Sequence, residues 1–220
     1  MPHPARRALV VIDVQNEYVS GGLTIEYPPL RQSLPNIGKA IDEARRSGIP
    51  VVVVQNIAPA GSPLFAPGSH GAALHAVVAE RRHDHLIVKS LPSAFAGTDL
   101  ADWIAAHGID RLTVLGYMTH NCVDSTIKHA LHAGLKVEFV HDASGSVSYA
   151  NRAGRVGAQE IHHAFSVVLQ SRFAAVLSTD EWIRAVTLGV EPERDTIYYS
   201  HLRATTPDPL WAETVAQKRT

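Results

Sequence analysis

The sequence predicts an α/β domain, a parallel sheet of six strands with helices on both faces. Three observations carry that reading. Apolar runs rich in Val, Ile and Leu recur along the 220 residues, and they are continuous rather than alternating. That is the pattern of strands covered on both sides. Amphipathic stretches of helical length separate these runs, so each strand is joined to the next by a crossover, which should be right-handed.

Taken in order, "ALVVIDV" (residues 8–14) is the first strand, and "LPNIGKAIDEARRSG" is a helix ending near Gly48. "PVVVVQN" (50–56) is the second strand, followed by the Pro/Gly/Ser-rich loop "APAGSPLFAPGSHG". A short helix over 72–80 leads into strand "HLIVK" (85–89), and 99–108 is helical with Thr98 as N-cap. Strand "RLTVLGY", helix "NCVDSTIKHALHAG", strand "KVEFVHD", a long helix through 159–170 and strand "FAAVLS" come next. Thr179 opens a last short helix through Trp182. No internal repeat or linker interrupts this series. After Gly189 the periodicity fades and prolines accumulate, so the chain divides into one domain, 1–188, and a C-terminal extension, 189–220. The extension shows no sheet or helix of its own.

Composition narrows the function classes. Hydrophobic residues make up 45% and charged residues 19%, the balance of a globular chain and not a disordered one. The formal net charge of -1 gives no basic excess for nucleic acid or an anionic membrane. The longest apolar runs are too short to span a bilayer. "MPHPARRALVV" runs straight into a core strand, without the apolar stretch and cleavage site of a signal peptide. The single cysteine permits no intrachain disulfide, and a cytoplasmic location is expected.

Open α/β sheets bind and react beyond the carboxyl ends of their strands. Those ends carry Asp13 to Asn16, Gln55 and Asn56, Lys89, Tyr117 to Cys122, and His141 with Asp142. Taken singly, Asp13 is a turn former or N-cap, Lys89 a charge snorkelling to solvent, and Cys122 a packed core thiol. Together they form an acid, a base and a nucleophile at adjacent strand ends, the set that covalent catalysis requires. A desolvated Asp13 has a raised pKa suited to a general base. In the first turn of its helix, Cys122 would have its thiolate stabilised by the dipole and free amides. Those amides could also hold an oxyanion.

"VVIDVQNEY", "VKSLPSAFAGTDL" and "VLGYMTHNCVDSTIKHALHAG" resemble the three signature segments of the isochorismatase-like cysteine hydrolases. The likeness continues through "VHDAS" and "FAAVLSTDEW", covering roughly residues 8 to 187 in order. The resemblance implies a Rossmann-like, three-layer α/β/α fold and a catalytic triad of Cys122, Asp13 and Lys89. It also implies a cis peptide between Tyr117 and Met118, with the Met118 and Cys122 amides as oxyanion hole. Thr119 would tie down that backbone, and His120 would either line the pocket or face solvent or an interface. Relatives that hydrolyse the vinyl ether of isochorismate lack the cysteine, so Cys122 argues against isochorismate as substrate. The implied reaction is C–N hydrolysis of a small amide, lactam or ureido compound through a thioester. Dimers or tetramers are implied as well. The extension lies outside the resembling region; rich in Tyr198, Tyr199, Trp211 and prolines, it is expected to pack on a neighbour, with folding over its own domain as the competing reading.

Gln15, Phe65, Phe95, Tyr117 and His120 are candidate pocket residues; for the aromatic side chains, ordinary packing is the competing reading. Nicotinamidases in this family carry an Asp-x-His metal pair after the second strand. Gln55 and Ile57 stand there instead, so neither metal nor cofactor is expected. His83, His85, His162 and His163 are read as surface or interface residues. Two other classes compete: a thiol redox protein, which lacks a resolving cysteine, and a binding module, which lacks a glycine-rich dinucleotide loop.

Overall fold

An apolar strand buried on both faces needs a neighbour on each edge and cover above and below. The computed structural model describes residues 6–206 and meets both needs around its first strand. In chain order it forms β1 (Arg7–Ile12), α1 (Glu17–Ser20), α2 (Leu30–Arg46), β2 (Val51–Asn56), α3 (Ala76–Ala79) and β3 (His85–Lys89). Next come α4 (Leu100–Ala106), β4 (Arg111–Tyr117), a π-helical turn (Thr119–Val123), α5 (Asp124–His132) and β5 (Lys136–Gly145). The hairpin β6 (Tyr149–Asn151) and β7 (Gly154–Val156) precedes α6 (Ala158–Val168) and a second π turn (Leu169–Phe173). β8 (Ala175–Leu177), α7 (Thr179–Leu188) and α8 (Ile197–Thr205) follow.

The main sheet has six parallel strands in the order β3-β2-β1-β4-β5-β8. This is the Rossmann-like α/β architecture expected. Alternate residues of β1 feed two cores. Leu9 and Val11 pack with Ile37, Ile41, Val53 and Trp182 on one face, while Val10 and Ile12 pack with Val52, Leu112 and Ile127 on the other. Each such side chain stabilises the fold by about 1.5–3 kcal/mol. The order of winding reverses between β1 and β4: from β1 the sheet grows one way to β2 and β3, then restarts on the other side. The crevice at that switch point is where a site can form.

One buried charge cluster joins strands to helix. The Glu138 carboxylate accepts from Arg7 Nε (3.1 Å), Arg111 Nη1 (2.9 Å), Thr113 Oγ1 (2.7 Å) and Trp182 Nε1 (3.1 Å). Saturating its lone pairs is what makes such a buried carboxylate tolerable. Arg111 Nη2 also reaches Glu191, 2.7 Å away in the extension. The Asp195 N–H donates to the Gln170 carbonyl at 2.9 Å, so the start of the extension is pinned to its own domain.

Several elements differ from expectation. The extension holds a helix after all, α8, although none of its residues is buried. Trp211 lies outside the described residues. α2 starts at Leu30, ahead of the expected segment that begins at Leu34, so Pro35 lies inside the helix. α3 shrinks to one turn, capped by the His75 ring accepting from the Val77 N–H at 3.2 Å. Thr98 sits just before α4 and accepts from the Leu100 N–H at 3.3 Å. The helix expected over 121–134 is divided, with α5 starting only at Asp124. The exposed β6–β7 hairpin has no apolar period to announce it.

Gly116 lies opposite Ile12 in the β1–β4 pairing, with φ +107°. A Cβ there would fall 2.1 Å from the Ile12 carbonyl oxygen. Gly116→Ala is therefore expected to destabilise the protein by about 3 kcal/mol. Urea unfolding measures this, and a change within experimental error would mean that the strands separate at no cost.

Candidate functional site

β1 ends at Ile12, and Asp13 turns the chain off the sheet in the left-handed region, with φ +48°. Aspartate tolerates this conformation better than most residues, at some strain. Its N–H donates to the Val54 carbonyl at 2.9 Å, and the side chain is fully buried. Lys89 is the last residue of β3, and its carbonyl accepts from the Ile57 N–H at 2.9 Å. Its Nζ lies 2.8 Å from Asp13 Oδ2 and donates to Cys122 Sγ at 3.3 Å. Asp13, Lys89 and Cys122 are thus brought together at the switch point.

Cys122 lies in the π turn and not in the first turn of an α-helix as expected. The electrostatics differ as well. Burial first, then the neighbouring Asp13, pushes the thiol up to about 12, so no thiolate is stabilised at rest. Burial raises Asp13 too, with Lys89 opposing. Burial pulls Lys89 down, but Asp13 and Cys122 outweigh it, and its pKa is raised. Lys89 therefore stays an ammonium between a protonated thiol and a carboxylate of increased basicity.

The turn around the thiol is held tightly. The Tyr117–Met118 peptide is cis. The Thr126 hydroxyl donates to the Cys122 carbonyl at 2.7 Å and accepts from the Ala94 N–H at 3.0 Å. Thr119 Oγ1 lies 2.7 Å from Ser144 Oγ, 3.2 Å from the Gly145 carbonyl and 2.9 Å from His162 Nδ1.

Two of the pocket candidates have other roles. Gln15 is fully buried, donating to the Asn56 and Ala72 carbonyls and accepting from the Asn56 N–H. It ties strand ends together and does not line a pocket. Tyr117 is 0% exposed, and its hydroxyl lies 2.8 Å from Ser33 Oγ, so its ring belongs to the core. Phe65 is buried 5.3 Å from the Tyr18 ring, and Phe95 stacks on His129 at 4.7 Å. His120 is half-buried, 3.0 Å from Ser146 Oγ and edge-on to Tyr149.

Tyr18 and Tyr149 went unnoticed in the sequence. Burial first, then nearby Asp13 and Cys122, raises Tyr18 well above the usual phenol range, and Cys122 also contributes to the raised Tyr149. The signal for Tyr18 is its place in "IDVQNEY", five residues beyond Asp13; the exposed hairpin gives none for Tyr149. His162 is also misplaced in the sequence reading, because it is 1% exposed and not at the surface.

The residues at the end of β2 do not fit a metal. Gln55 Nε2 donates to the Ala72 carbonyl at 2.8 Å, and Ile57 has no ligating atom. His70 Nε2 faces Ser20 Oγ at 3.4 Å. No helix among the described residues is long and apolar enough to cross a membrane.

Fold and site together define a class: a doubly wound α/β protein with a buried acid, lysine and thiol at the carboxyl ends of its sheet. The chain belongs to the isochorismatase family, with residues 7–181 matching the isochorismatase domain. It is similar to a solved isochorismatase-family structure from Burkholderia xenovorans LB400, at 66% identity and a TM-score of 0.90, covering 91% of this chain and 97% of that one. The isochorismatase family protein YddQ of Bacillus subtilis is 31% identical over 178 residues, 80% of this chain and 98% of its own. The nicotinamidase of Escherichia coli K12 is 26% identical over 214 aligned positions, covering 80% and 96% respectively.

Burial, then the neighbouring His141 and His163, lowers His162 from 6.5 to about 3. Between those values the unfolded chain binds a proton that the folded chain refuses. The contribution is therefore fully present above the unfolded value and is lost as pH falls, by up to about 1.4 kcal/mol per pH unit. Urea unfolding at about pH 7 and pH 5 should show this loss, and His162→Asn should flatten it. An unchanged slope in the variant would assign the proton elsewhere.

Proposed function

We propose that the protein is a cysteine-dependent hydrolase that cleaves a C–N bond of a small amide, lactam or ureido substrate. One observation carries this reading: a buried ammonium, Lys89, touches both a carboxylate at 2.8 Å and the chain's single thiol at 3.3 Å. A structural ion pair would not need the sulfur. Similarity to a nicotinamidase supports the amide class.

Asp13 takes the Cys122 proton as Sγ attacks the substrate carbonyl carbon. Burial makes that carboxylate more basic, and Lys89 at the sulfur offsets the negative charge that develops there. The Met118 and Cys122 backbone N–H groups hold the oxyanion. As the tetrahedral species collapses, the C–N bond breaks, and Asp13 returns the proton to the leaving nitrogen. Water, deprotonated by Asp13, then attacks the thioester and releases the carboxylic acid and the thiol. No metal takes part in this scheme. A thiol redox role fits the site less well, because a buried thiol pushed up to about 12 is a poor target for peroxide.

Cys122→Ala should lower turnover by about 10³-fold or more, with melting temperature nearly unchanged. The assay is ammonia or amine release from a panel of small amides, lactams and ureido compounds that includes nicotinamide. Near wild-type turnover in this variant would end the covalent reading. Asp13→Asn should lower turnover severely as well, since an amide cannot accept the thiol proton, and near wild-type turnover would remove Asp13 as the base. Dialysis against a strong chelator, with metal content checked by elemental analysis, should leave turnover intact. A loss reversed by zinc or iron would overturn the metal-free scheme.

A further inference from the structure

We propose that His162 is a positioning residue, holding the turn that carries Cys122 through a chain of hydrogen bonds with a fixed direction. The proposal rests on the reading of Cys122 as nucleophile and concerns what keeps its turn in place. His162 lies on α6, remote in sequence from the signature segments, and its ring is buried against the π turn.

The direction follows from counting hydroxyl protons. Ser144 Oγ has one, and it is donated to the Gly116 carbonyl at 2.7 Å. The 2.7 Å contact between Ser144 and Thr119 must then be a donation from Thr119. Thr119 has only one proton too, and the 2.7 Å contact takes it to Ser144 in preference to the Gly145 carbonyl 3.2 Å away. With its proton so used, Thr119 Oγ1 accepts from His162 Nδ1 at 2.9 Å. The imidazole is therefore the Nδ1–H tautomer. The chain runs from His162 through Thr119 and Ser144 to the backbone of Gly116, at the end of β4.

This chain spans the segment that presents Cys122. Gly116 is in the strand before the turn, Thr119 opens the turn, and Ser144 belongs to the neighbouring strand β5. His162 adds a third element, α6, and supplies the donor that leaves the Thr119 proton free to continue inward. A leucine would fill the same volume without that donor. The Nε2 atom has no hydrogen-bond partner among the described residues, so Thr119 is the ring's polar tie, while Tyr27 packs edge-on at 5.5 Å.

The experiment compares His162→Leu with His162→Asn, whose side-chain N–H can stand in for Nδ1–H. Three quantities are read: kcat and KM on the panel amide turned over fastest, hydrogen exchange of the amides in Thr119–Val123, and melting temperature. For His162→Leu, kcat should fall about tenfold or more with KM changed less than about threefold. Exchange in the turn should rise about tenfold or more relative to the β1 amides. His162→Asn should restore both to within about threefold of wild type. Wild-type values in His162→Leu would overturn the proposal. Equal impairment of Leu and Asn would also overturn it, since the histidine would then act by packing. Should His162→Leu fail to fold, Thr119→Ser against Thr119→Val gives the same decision, with equal effects counting against the chain. Cys122→Ala is run alongside. If turnover survives in it, the hydrolase reading fails on its own, and hydrogen exchange still decides the role of His162.

Discussion

The contact between Lys89 and Asp13 sets the geometry of the whole site. The two residues leave strands that are not neighbours, because β2 lies between β1 and β3. Adjacent strands are about 4.8 Å apart, so the pair must bridge roughly 10 Å of sheet. A lysine's four-carbon stem can cross that distance over the end of β2, and its ammonium is a compact charge that can meet two partners at once. Asp13 contributes from the other side by leaving β1 in a left-handed turn. The strand order and the reach of these two side chains together define where a thiol must sit to touch both.

Burial gives this contact its chemical character. Water would screen the pair and return each group to its ordinary titration range. With Asp13 fully buried and Lys89 and Cys122 nearly so, the carboxylate gains basicity and the thiol holds its proton. The resting site thus holds a thiol, which becomes nucleophilic only as its proton leaves the sulfur. The dipole-stabilised thiolate inferred from sequence would have been a different device, reactive at all times.

How much was legible depended on whether a property is local. The strands at residues 8–14 and 50–56 declare themselves because double-sided burial demands unbroken apolar runs. Asp13, Lys89 and Cys122 stand out because they are polar residues at the ends of such runs. Gln15 and Tyr117 also sit at strand ends, yet their side chains turn inward to Ala72 and Ser33, and no pattern along the chain encodes that choice. His162 could not be read at all, since its importance comes from Thr119, more than forty residues earlier in the sequence. The β6–β7 hairpin and α8 were missed for the opposite reason: neither buries a face, so neither has a period.

β3 lies at the margin of the sheet, hydrogen-bonded to β2 alone, with Leu86 and Val88 42% and 56% exposed. A margin strand can peel away while the central strands remain paired. The ammonium that completes the site is carried on that strand, whereas the acid and the thiol are anchored at the centre. Fraying of that one border strand would therefore take the ammonium away from the acid and the thiol while the spectroscopic signature still reported an intact fold.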